Sequence, residues 1–371
     1  MPSPTALNST DRHWLRRAFA HASGHNSPTA PNPKVGCVIV AADGSLLAEA
    51  VSEAAGGAHA EVVALAKAGE QARGATVYVT LEPCDHYGRT PPCTTGLLAA
   101  GVGRVVYAIR DVNPVAGGGA ATLSLHGVTV DGPLEQNDPL GYAIRDDLAG
   151  FFTAVTANRP YVTLKMAQQS DGNTQPDATG YLTNPHARRS VHRMRQNADA
   201  VLVGSGTVIA DNPQLTVRDV GNTHQRSLRQ PVAAVFDRRL TTPVQAAVCR
   251  AGTLLVTTTG HDDTALAPYR RRGVDILAFA PTGANTGDVH AALATLAKAG
   301  VNDVFAEPGL ALASALLAAD AVDQLVLHVA GLLPDATFTS CLPLHGFVVQ
   351  ARGTFLPNDA SFTFVSDRKN A

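Results

Sequence analysis

Short, almost wholly apolar segments alternate with helix-length segments along most of this 371-residue chain, and this alternation constrains the fold more than any other sequence feature. Residues 35–41, 75–81 and 104–109 are typical of buried strands, and helices are predicted over 11–22 and 59–68. Strands that alternate with helices favour an α/β sheet whose faces are covered by helices. We therefore expect an α/β protein.

The alternation begins again after Asn158, so the sequence predicts two independently built α/β domains, residues 1–157 and 158–371. That division agrees with a length of roughly 150 residues per domain. In the second domain, strands are predicted at 161–167, 199–203, 232–236, 253–257, 274–278, 304–306 and 324–329. Helices are predicted there at 185–196, 288–299 and 311–319.

The charge balance argues against a nucleic-acid groove or a membrane-surface patch. The chain has 29 Lys and Arg residues and 31 Asp and Glu residues, which gives a net charge of −2. The sequence has no run of about 18 apolar residues, and its first residues lack the apolar centre of a signal peptide. Five cysteines are too few for a disulfide framework in a chain of this length. We expect a cytoplasmic enzyme that acts on a small molecule, with no nucleic-acid or membrane partner.

One His and two Cys residues are spaced as ligands of a catalytic zinc ion. His59 opens a predicted helix, Cys84 follows the next strand, and Cys93 opens the helix after that. One imidazole and two thiolates leave the fourth tetrahedral position to water, which is the catalytic rather than the structural pattern. Glu61, two residues after the histidine, is placed to act as the acid/base. This is the chemistry of a zinc-dependent deaminase.

The alternative is a closed structural zinc site, which needs a fourth protein ligand, and His86 is the local candidate. We expect the other cysteines, Cys37, Cys249 and Cys341, to be structural.

Two glycine-containing turns in the second domain are candidate phosphate loops. Gly204 to Thr207 follows a predicted strand, and Glu307-Pro308-Gly309 precedes a predicted helix with free N–H groups at its start. A plain turn is the alternative for the first. Arg188 and Arg195 lie on one side of a predicted helix, where they suit either an anion clamp or a solvated face.

The motifs of the first half resemble those of the bifunctional riboflavin-biosynthesis deaminase/reductase family. The stretches that carry the resemblance are NPKVGCVIV from Asn32, His59-Ala60-Glu61, and TLEPCDHYGRTPPC from Thr80 to Cys93. Cytidine and tRNA-adenosine deaminases share the His-x-Glu element but usually separate their cysteines by two residues. The resemblance implies a cytidine-deaminase-like α/β/α fold, and it implies substrate contacts from Asn32, His86 and Arg89.

The second half resembles the reductase half of the same family, which has a dihydrofolate-reductase-like α/β fold and uses NADPH. The matching stretches are PYVTLKMA from Pro160, LTNPHAR from Leu182, DAVLVG from Asp199, and DNPQLTVR from Asp211. The resemblance implies that the residues facing the cofactor are Ala167, Tyr181, Thr207, Asp211, Gly309, Leu310, Ala311, Leu312, Ala313, Ser314 and Ala315. Arg238 would meet the 2′-phosphate, with an exposed surface position as the alternative. The residues implied to face the substrate are Thr179, Arg195, Leu215, Arg218 and Glu307.

The resemblance implies two successive reactions. The first is zinc-dependent hydrolytic deamination of 2,5-diamino-6-(5-phosphoribosylamino)pyrimidin-4(3H)-one, and the second is NADPH-dependent reduction of the ribosyl group to ribityl. Departures from the family pattern at Gln169, Tyr181 and Pro308 leave two alternatives open: a deaminase-only enzyme, or a paralogue whose impaired reductase half binds a ligand. A nucleoside or tRNA deaminase would leave residues 160–371 without a role. A homo-oligomer stays open, because the sequence does not set the oligomeric state.

Overall fold

Both sheets predicted from the alternation are present in the computed structural model, which describes residues 7–25, 28–88, 91–175, 181–218, 229–332, 337–355 and 359–366. The chain divides into two units, Met1–Ala157 (unit 1) and Asn158–Ala371 (unit 2). Each unit has its own sheet and its own cluster of buried apolar side chains.

Unit 1 is built on a five-stranded sheet. Its strands are β1 Gly36–Val40, β2 Leu46–Val51, β3 Thr76–Leu81, β4 Arg104–Ile109 and β5 Thr129–Asp131. The strand order is β2-β1-β3-β4-β5, with β1 antiparallel to both of its neighbours and β3, β4 and β5 mutually parallel. The carboxyl ends of β3 and β4 therefore meet at one edge, where ligand sites of α/β sheets form.

The helices of unit 1 cover this sheet. They are α1 Ser9–Ser23, α2 Ala60–Ala68, α3 Cys93–Ala100, α4 Gly119–Leu125, α5 Pro139–Asp147 and α6 Ala149–Ala157. A capping box in which Asn8 and Asp11 exchange hydrogen bonds starts α1, and Gly101 ends α3 in the left-handed conformation. At Gly36, a Cβ atom would lie 2.0 Å from the Ala18 carbonyl oxygen, so α1 packs on β1 at a distance that only glycine allows.

Unit 2 contains a nine-stranded sheet. Its strands are β6 Tyr161–Gln169, β7 Ala200–Gly204, β8 Val232–Phe236, β9 Leu254–Thr258, β10 Asp275–Phe279, β11 Asp303–Ala306, β12 Gln324–Ala330, β13 Phe347–Phe355 and β14 Asp359–Ser366. The order is β10-β9-β8-β7-β11-β6-β12-β14-β13. Pairing is parallel from β10 to β12, and β14 and β13 add an antiparallel end.

The helices of unit 2 are α7 Pro185–Asn197, α8 Ser205–Asp211, α9 Asp263–Arg271, α10 Asn285–Lys298 and α11 Leu310–Ala318. Most predicted elements are observed within a few residues of their expected bounds, but the helices α5, α6, α8 and α9 and the β13–β14 hairpin lie where no helix or strand was predicted. In β13, every residue between the two terminal phenylalanines is exposed, so the strand lacks the apolar pattern that marks the others. No helix among the residues that the structure describes is long and apolar enough to cross a membrane.

Candidate metal centre and dinucleotide cleft

The side chains of His59, Cys84 and Cys93 meet at the carboxyl edge of the unit 1 sheet. His59 is the N-cap residue of α2, Cys84 follows β3, and Cys93 is the first residue of α3. The His59 Nδ1 atom lies 3.5 Å from the Cys84 Sγ and 3.3 Å from the Cys93 Sγ. All three ligand atoms lie within 4.8 Å of one another.

This donor set fits a zinc ion. Zn–S bonds of about 2.3 Å and Zn–N bonds of about 2.0 Å place the ligand atoms of a tetrahedron roughly 3.5–3.8 Å apart. The two N–S distances at the centre are close to that spacing. Among the described residues, no fourth His, Cys or carboxylate joins the group, so the closed structural site is not seen there.

The surroundings favour the thiolate form of Cys84. Hydrogen bonds from the Cys93 and His59 side chains lower the pKa of Cys84 to about 4, against an opposing effect of burial. The backbone N–H of Cys93 also points at the Cys84 sulfur, with an N–S distance of 3.4 Å. A helix N-terminus of this kind stabilises negative charge.

Glu61 lies in the first turn of α2 and is 3% exposed. Burial raises the pKa of its carboxyl, and the carboxyl also interacts with the side chain of Cys93. Its side chain lines the same cavity as His59 and Cys84, so an acid/base group lies beside the candidate metal ligands.

Two of the candidate metal ligands, His59 and Cys84, line a cavity of about 310 Å³. Two predicted substrate-binding residues, Asn32 and His86, line it. The Nδ1 atom of His86 is buried and has no hydrogen-bond partner within the described part of the chain, which is uncommon for a buried polar atom. Arg89, the third predicted contact, lies outside the described residues.

Four polar residues of the cavity wall were not predicted as site residues: Ser52, Glu82, Asp111 and Asn113. The Glu82 carboxylate accepts hydrogen bonds from the backbone N–H groups of Asp111 and Ala120, at 3.3 and 3.2 Å, and so fixes the loop between β4 and α4. Burial, followed by the charge of Glu82, raises the pKa of Asp111. The Asp111-Val112-Asn113-Pro114 motif was the available signal, because it begins one residue after the end of a buried strand.

A second cavity, of about 560 Å³, lies in unit 2 between the start of α8, the segment after β8 and the start of α11, so the glycine-containing segment predicted as a turn is the beginning of a helix. Of the predicted cofactor residues, those that line it are Thr207, Arg238, Gly309, Leu310, Ala311, Leu312 and Ala315. The Thr207 hydroxyl accepts a hydrogen bond of 3.0 Å from the Gly309 N–H, which ties two of these walls together.

The second cavity fits a phosphorylated dinucleotide. A Cβ atom added at Gly206 would meet no atom within 4 Å, so the backbone there is open to a close-lying ligand. At the other end, the Arg238 guanidinium lies between Asn285 and Asp288, with Nη1–Oδ1 and Nε–Oδ2 distances of 2.5 and 3.0 Å. An arginine so placed suits a phosphate group.

The remaining predicted cofactor residues are not part of this cavity wall. The helical period turns Ala313 into the core of unit 2, where it is fully buried, and leaves Ser314 exposed, so only one face of α11 lines the cavity. Asp211 is exposed at the end of α8, and Ala167 is half-buried on β6. Tyr181 is 54% exposed, and the Arg188 guanidinium stacks 4.1 Å from its ring centre.

Two predicted substrate residues of unit 2, Arg195 and Glu307, form a salt bridge. Lys165 of β6 lies near this pair, and burial lowers the pKa of its ammonium group against the attraction of Glu307. The nearby His192 accepts a hydrogen bond of 3.3 Å at Nδ1 from the Arg218 N–H. Sequence reasoning did not assign Lys165 or His192, although a lysine within an apolar central strand was a usable signal.

Leu215 is 2% exposed and packs in an apolar cluster with Val191 and Val208, with a positive φ of 54°. Its side chain is therefore part of the core, and the contact of this residue with the substrate stays a prediction. Thr179 lies outside the described residues.

Known proteins resemble both units. A model of the cytidine and deoxycytidylate deaminase zinc-binding region matches residues 8–109, and a model of the RibD C-terminal domain matches residues 160–333. The riboflavin biosynthesis protein RibD of Escherichia coli is 38% identical over 341 residues, which cover 86% of this chain and 87% of that protein. The chain belongs to the RibD family.

Solved RibD structures extend the similarity to the whole fold. RibD of Acinetobacter baumannii matches with a TM-score of 0.80 and 33% identity, covering 96% of this chain and 99% of that one. A diaminohydroxyphosphoribosylaminopyrimidine deaminase/5-amino-6-(5-phosphoribosylamino)uracil reductase of Thermotoga maritima matches with a TM-score of 0.77, 30% identity and the same coverage.

RibD membership confirms the predicted fold class, a cytidine-deaminase-like domain followed by a dihydrofolate-reductase-like domain. It also confirms that the chain is a bifunctional deaminase and reductase, with zinc and NADPH as cofactors. A small-molecule substrate follows from the same membership.

Proposed function

We propose that this RibD enzyme deaminates 2,5-diamino-6-(5-phosphoribosylamino)pyrimidin-4(3H)-one in unit 1 and reduces the ribosyl group of the product to ribityl in unit 2. The observation that carries the proposal is the meeting of His59, Cys84 and Cys93, two of which line a cavity together with the buried Glu61. The names of the similar structures support the choice of substrate.

In unit 1, His59, Cys84 and Cys93 would hold the zinc ion, which supplies Lewis-acid activation of water when it is bound. Glu61 takes the proton from the attacking water and passes it to the departing amine, for which its buried position beside the ligands is suited. Asn32 and His86 orient the pyrimidine from the cavity wall. Arg89 completes the set of substrate contacts in this proposal.

In unit 2, NADPH supplies a hydride to C1′ of the ring-opened ribose when it is bound. The first turn of α8, which contains Thr207, and the start of α11 hold the cofactor phosphates, and Arg238 holds the 2′-phosphate. Arg195 and Glu307 orient the sugar, together with Thr179 and Arg218. The protein's part is binding, orientation and exclusion of water.

Purified protein with a measured zinc content would be given the diaminopyrimidine substrate and NADPH. We expect ammonia release followed by loss of NADPH absorbance in equal amount. Ammonia without NADPH oxidation would overturn the reductase part of the proposal and leave the deaminase-only alternative. Absence of both reactions in zinc-loaded protein would overturn the whole proposal.

Glu61→Gln provides the matched variant for this assay. It should keep its zinc and lose deamination by roughly 10²-fold or more, because an amide cannot accept the proton. NADPH oxidation should persist when the deaminated intermediate is supplied directly. Deamination at the normal rate would contradict the role given to Glu61.

We also propose a cytoplasmic location and leave the assembly state to measurement. The support for the location is the chemistry of the candidate metal centre, because Cys84 and Cys93 must remain reduced thiolates to bind an ion.

A further inference from the structure

Two threonine hydroxyls hold the side chain of Asp85, the residue that follows Cys84. The Thr94 hydroxyl donates to Asp85 Oδ1 at 2.7 Å, and the Thr122 hydroxyl donates to Asp85 Oδ2 at 2.5 Å. Hydrogen bonds that end on a carboxylate are among the stronger ones in proteins. Both carboxylate oxygens therefore have a fixed partner.

These contacts connect the two cysteines of the metal centre. Thr94 is the residue after Cys93, so the Asp85 carboxylate joins the two positions that directly follow the cysteines. A backbone hydrogen bond joins the same two segments, because the Thr94 N–H donates to the Cys84 carbonyl oxygen at 3.3 Å. Without such links, the eight residues between the cysteines would leave the distance between the two sulfur atoms poorly fixed.

Thr122, the second threonine that donates to the Asp85 carboxylate, links the Cys84 segment to α4. Thr122 lies on α4, and the first residue of that helix, Gly119, packs so closely that a Cβ atom there would lie 1.9 Å from the Pro83 carbonyl oxygen. The Asp85 N–H also donates to the Ala116 carbonyl oxygen at 2.9 Å. The Cys84 segment is thus held from the helix side as well as from the strand.

Asp85 is turned away from the cavity. Its neighbours Cys84 and His86 both line the cavity wall, whereas the Asp85 carboxylate faces the two threonines. A direct contact with substrate is therefore not its role.

We propose that Asp85 is a positioning residue for the zinc centre, which sets the spacing of Cys84 and Cys93 through Thr94 and anchors it to α4 through Thr122. This inference rests on the proposed zinc site. Residues that hold metal ligands in place typically change metal affinity about 10–100-fold when they are removed.

The test measures zinc release to a chromogenic chelator from the full chain and the absorption spectrum of the cobalt-substituted protein. Asp85→Ala and Thr94→Val should each release zinc about 10-fold faster than the unmodified protein. Their cobalt bands should weaken or shift, because the spectrum reports the ligand geometry. Thr94→Ser, which restores the hydroxyl, should recover both properties.

Asp43→Ala is the matched control. Asp43 also accepts a 2.7 Å hydrogen bond from a hydroxyl, that of Ser45, but in an exposed turn of the same unit. Its zinc release and cobalt spectrum should not change. If Asp85→Ala does not fold, Thr94→Val carries the test, because it removes one hydroxyl and keeps the side-chain volume.

Failure of the two proposals can be told apart. Unmodified protein that binds no stoichiometric zinc would overturn the proposed deaminase site. Unmodified protein that binds zinc, with Asp85→Ala or Thr94→Val showing the same release rate and the same cobalt spectrum, would overturn only the role of Asp85.

Discussion

Arg195 and Glu307 are 112 positions apart in the sequence and form a two-pronged salt bridge, with Nε–Oε1 and Nη2–Oε2 distances of 2.5 and 3.0 Å. Their side chains are only 12% and 16% exposed. The same guanidinium donates a third hydrogen bond, of 3.0 Å, to the Thr216 carbonyl oxygen. The pair therefore joins α7 to the segment that follows β11.

Arg195→Met should destabilise unit 2 by about 3 kcal/mol, because it leaves the Glu307 carboxylate largely buried and unpaired. The free energy of unfolding, measured by urea titration, checks this value. Arg270→Met is the control: it removes the more exposed pair with Asp263, and its effect should stay within about 1 kcal/mol. Equal changes in the free energy of unfolding for the two substitutions would show that burial of the Arg195–Glu307 pair does not increase its contribution to stability.

Removal of zinc by a chelator should expose two thiols. Cys84 and Cys93 are protected from a disulfide reagent as long as they bind the ion, and become reactive once it is gone. Counting reactive thiols before and after chelation should give a difference of two, and deamination should stop in parallel. A constant thiol count would show that these cysteines do not bind the metal.

Arg238→Ser should raise the KM for NADPH roughly 10–100-fold and leave the KM for NADH nearly unchanged. The serine variant would lack the charge-assisted hydrogen bond that the Arg238 guanidinium donates to the 2′-phosphate. Such bonds contribute about 1.5–3 kcal/mol. Steady-state kinetics with both cofactors measure the difference. Arg271→Ser, on an exposed turn of α9, serves as the control for a general loss of positive charge. A parallel rise in both KM values would contradict the role of Arg238.

His328 on β12 should make unit 2 less stable in mild acid. Burial, aided by the charge of Lys165, lowers the pKa of His328 to about 3, and its ring is fully buried with neither nitrogen hydrogen-bonded within the described residues. The unfolded chain takes up a proton near pH 6.5, whereas the folded chain does so only near pH 3. Stability therefore falls as pH decreases through this window, by about 2 kcal/mol between pH 7 and pH 5.

The replacement His328→Phe checks this dependence. Phenylalanine retains an aromatic contact with Phe355, whose ring centre lies 5.0 Å from that of His328, and has no group to protonate. Urea unfolding at the two pH values should give a smaller difference for this variant than for the unmodified protein. His290→Gln, on the exposed side of α10, should retain the full difference. An unchanged slope in His328→Phe would assign the acid sensitivity to other groups.

The sequence predicted the parts of the fold that depend on local patterns. Apolar runs such as 104–109 coincide with the observed β4, and α7 begins at Pro185, where a helix was predicted to begin. The metal cluster was also predictable, because β3 and two helix starts bring His59, Cys84 and Cys93 to one edge of a sheet. Periodicity and ligand spacing are both short-range properties, so one sequence is enough to recognise them.

What escaped prediction depends on contacts between distant segments. The partner of Arg195 lies on another strand end, and no local pattern names Glu307 as that partner. The motif position of Leu215 likewise did not predict that its side chain is buried in the core on a backbone with positive φ. Strand β13 is stable because it pairs with β14, and its exposed residues show no alternation of their own.

The place of β6 in its sheet has a consequence for biosynthesis. This strand is the first of unit 2, yet its neighbours are β11 and β12: Tyr161 pairs with Asp303, about 140 residues further along the chain, and Thr163 pairs with Gln324. Both edges of β6 stay unpaired until most of the second unit has been synthesised. Contacts of such long sequence separation slow folding, and an unpaired apolar strand is prone to aggregation meanwhile. Nascent chains of this enzyme should therefore depend on chaperones for their second half.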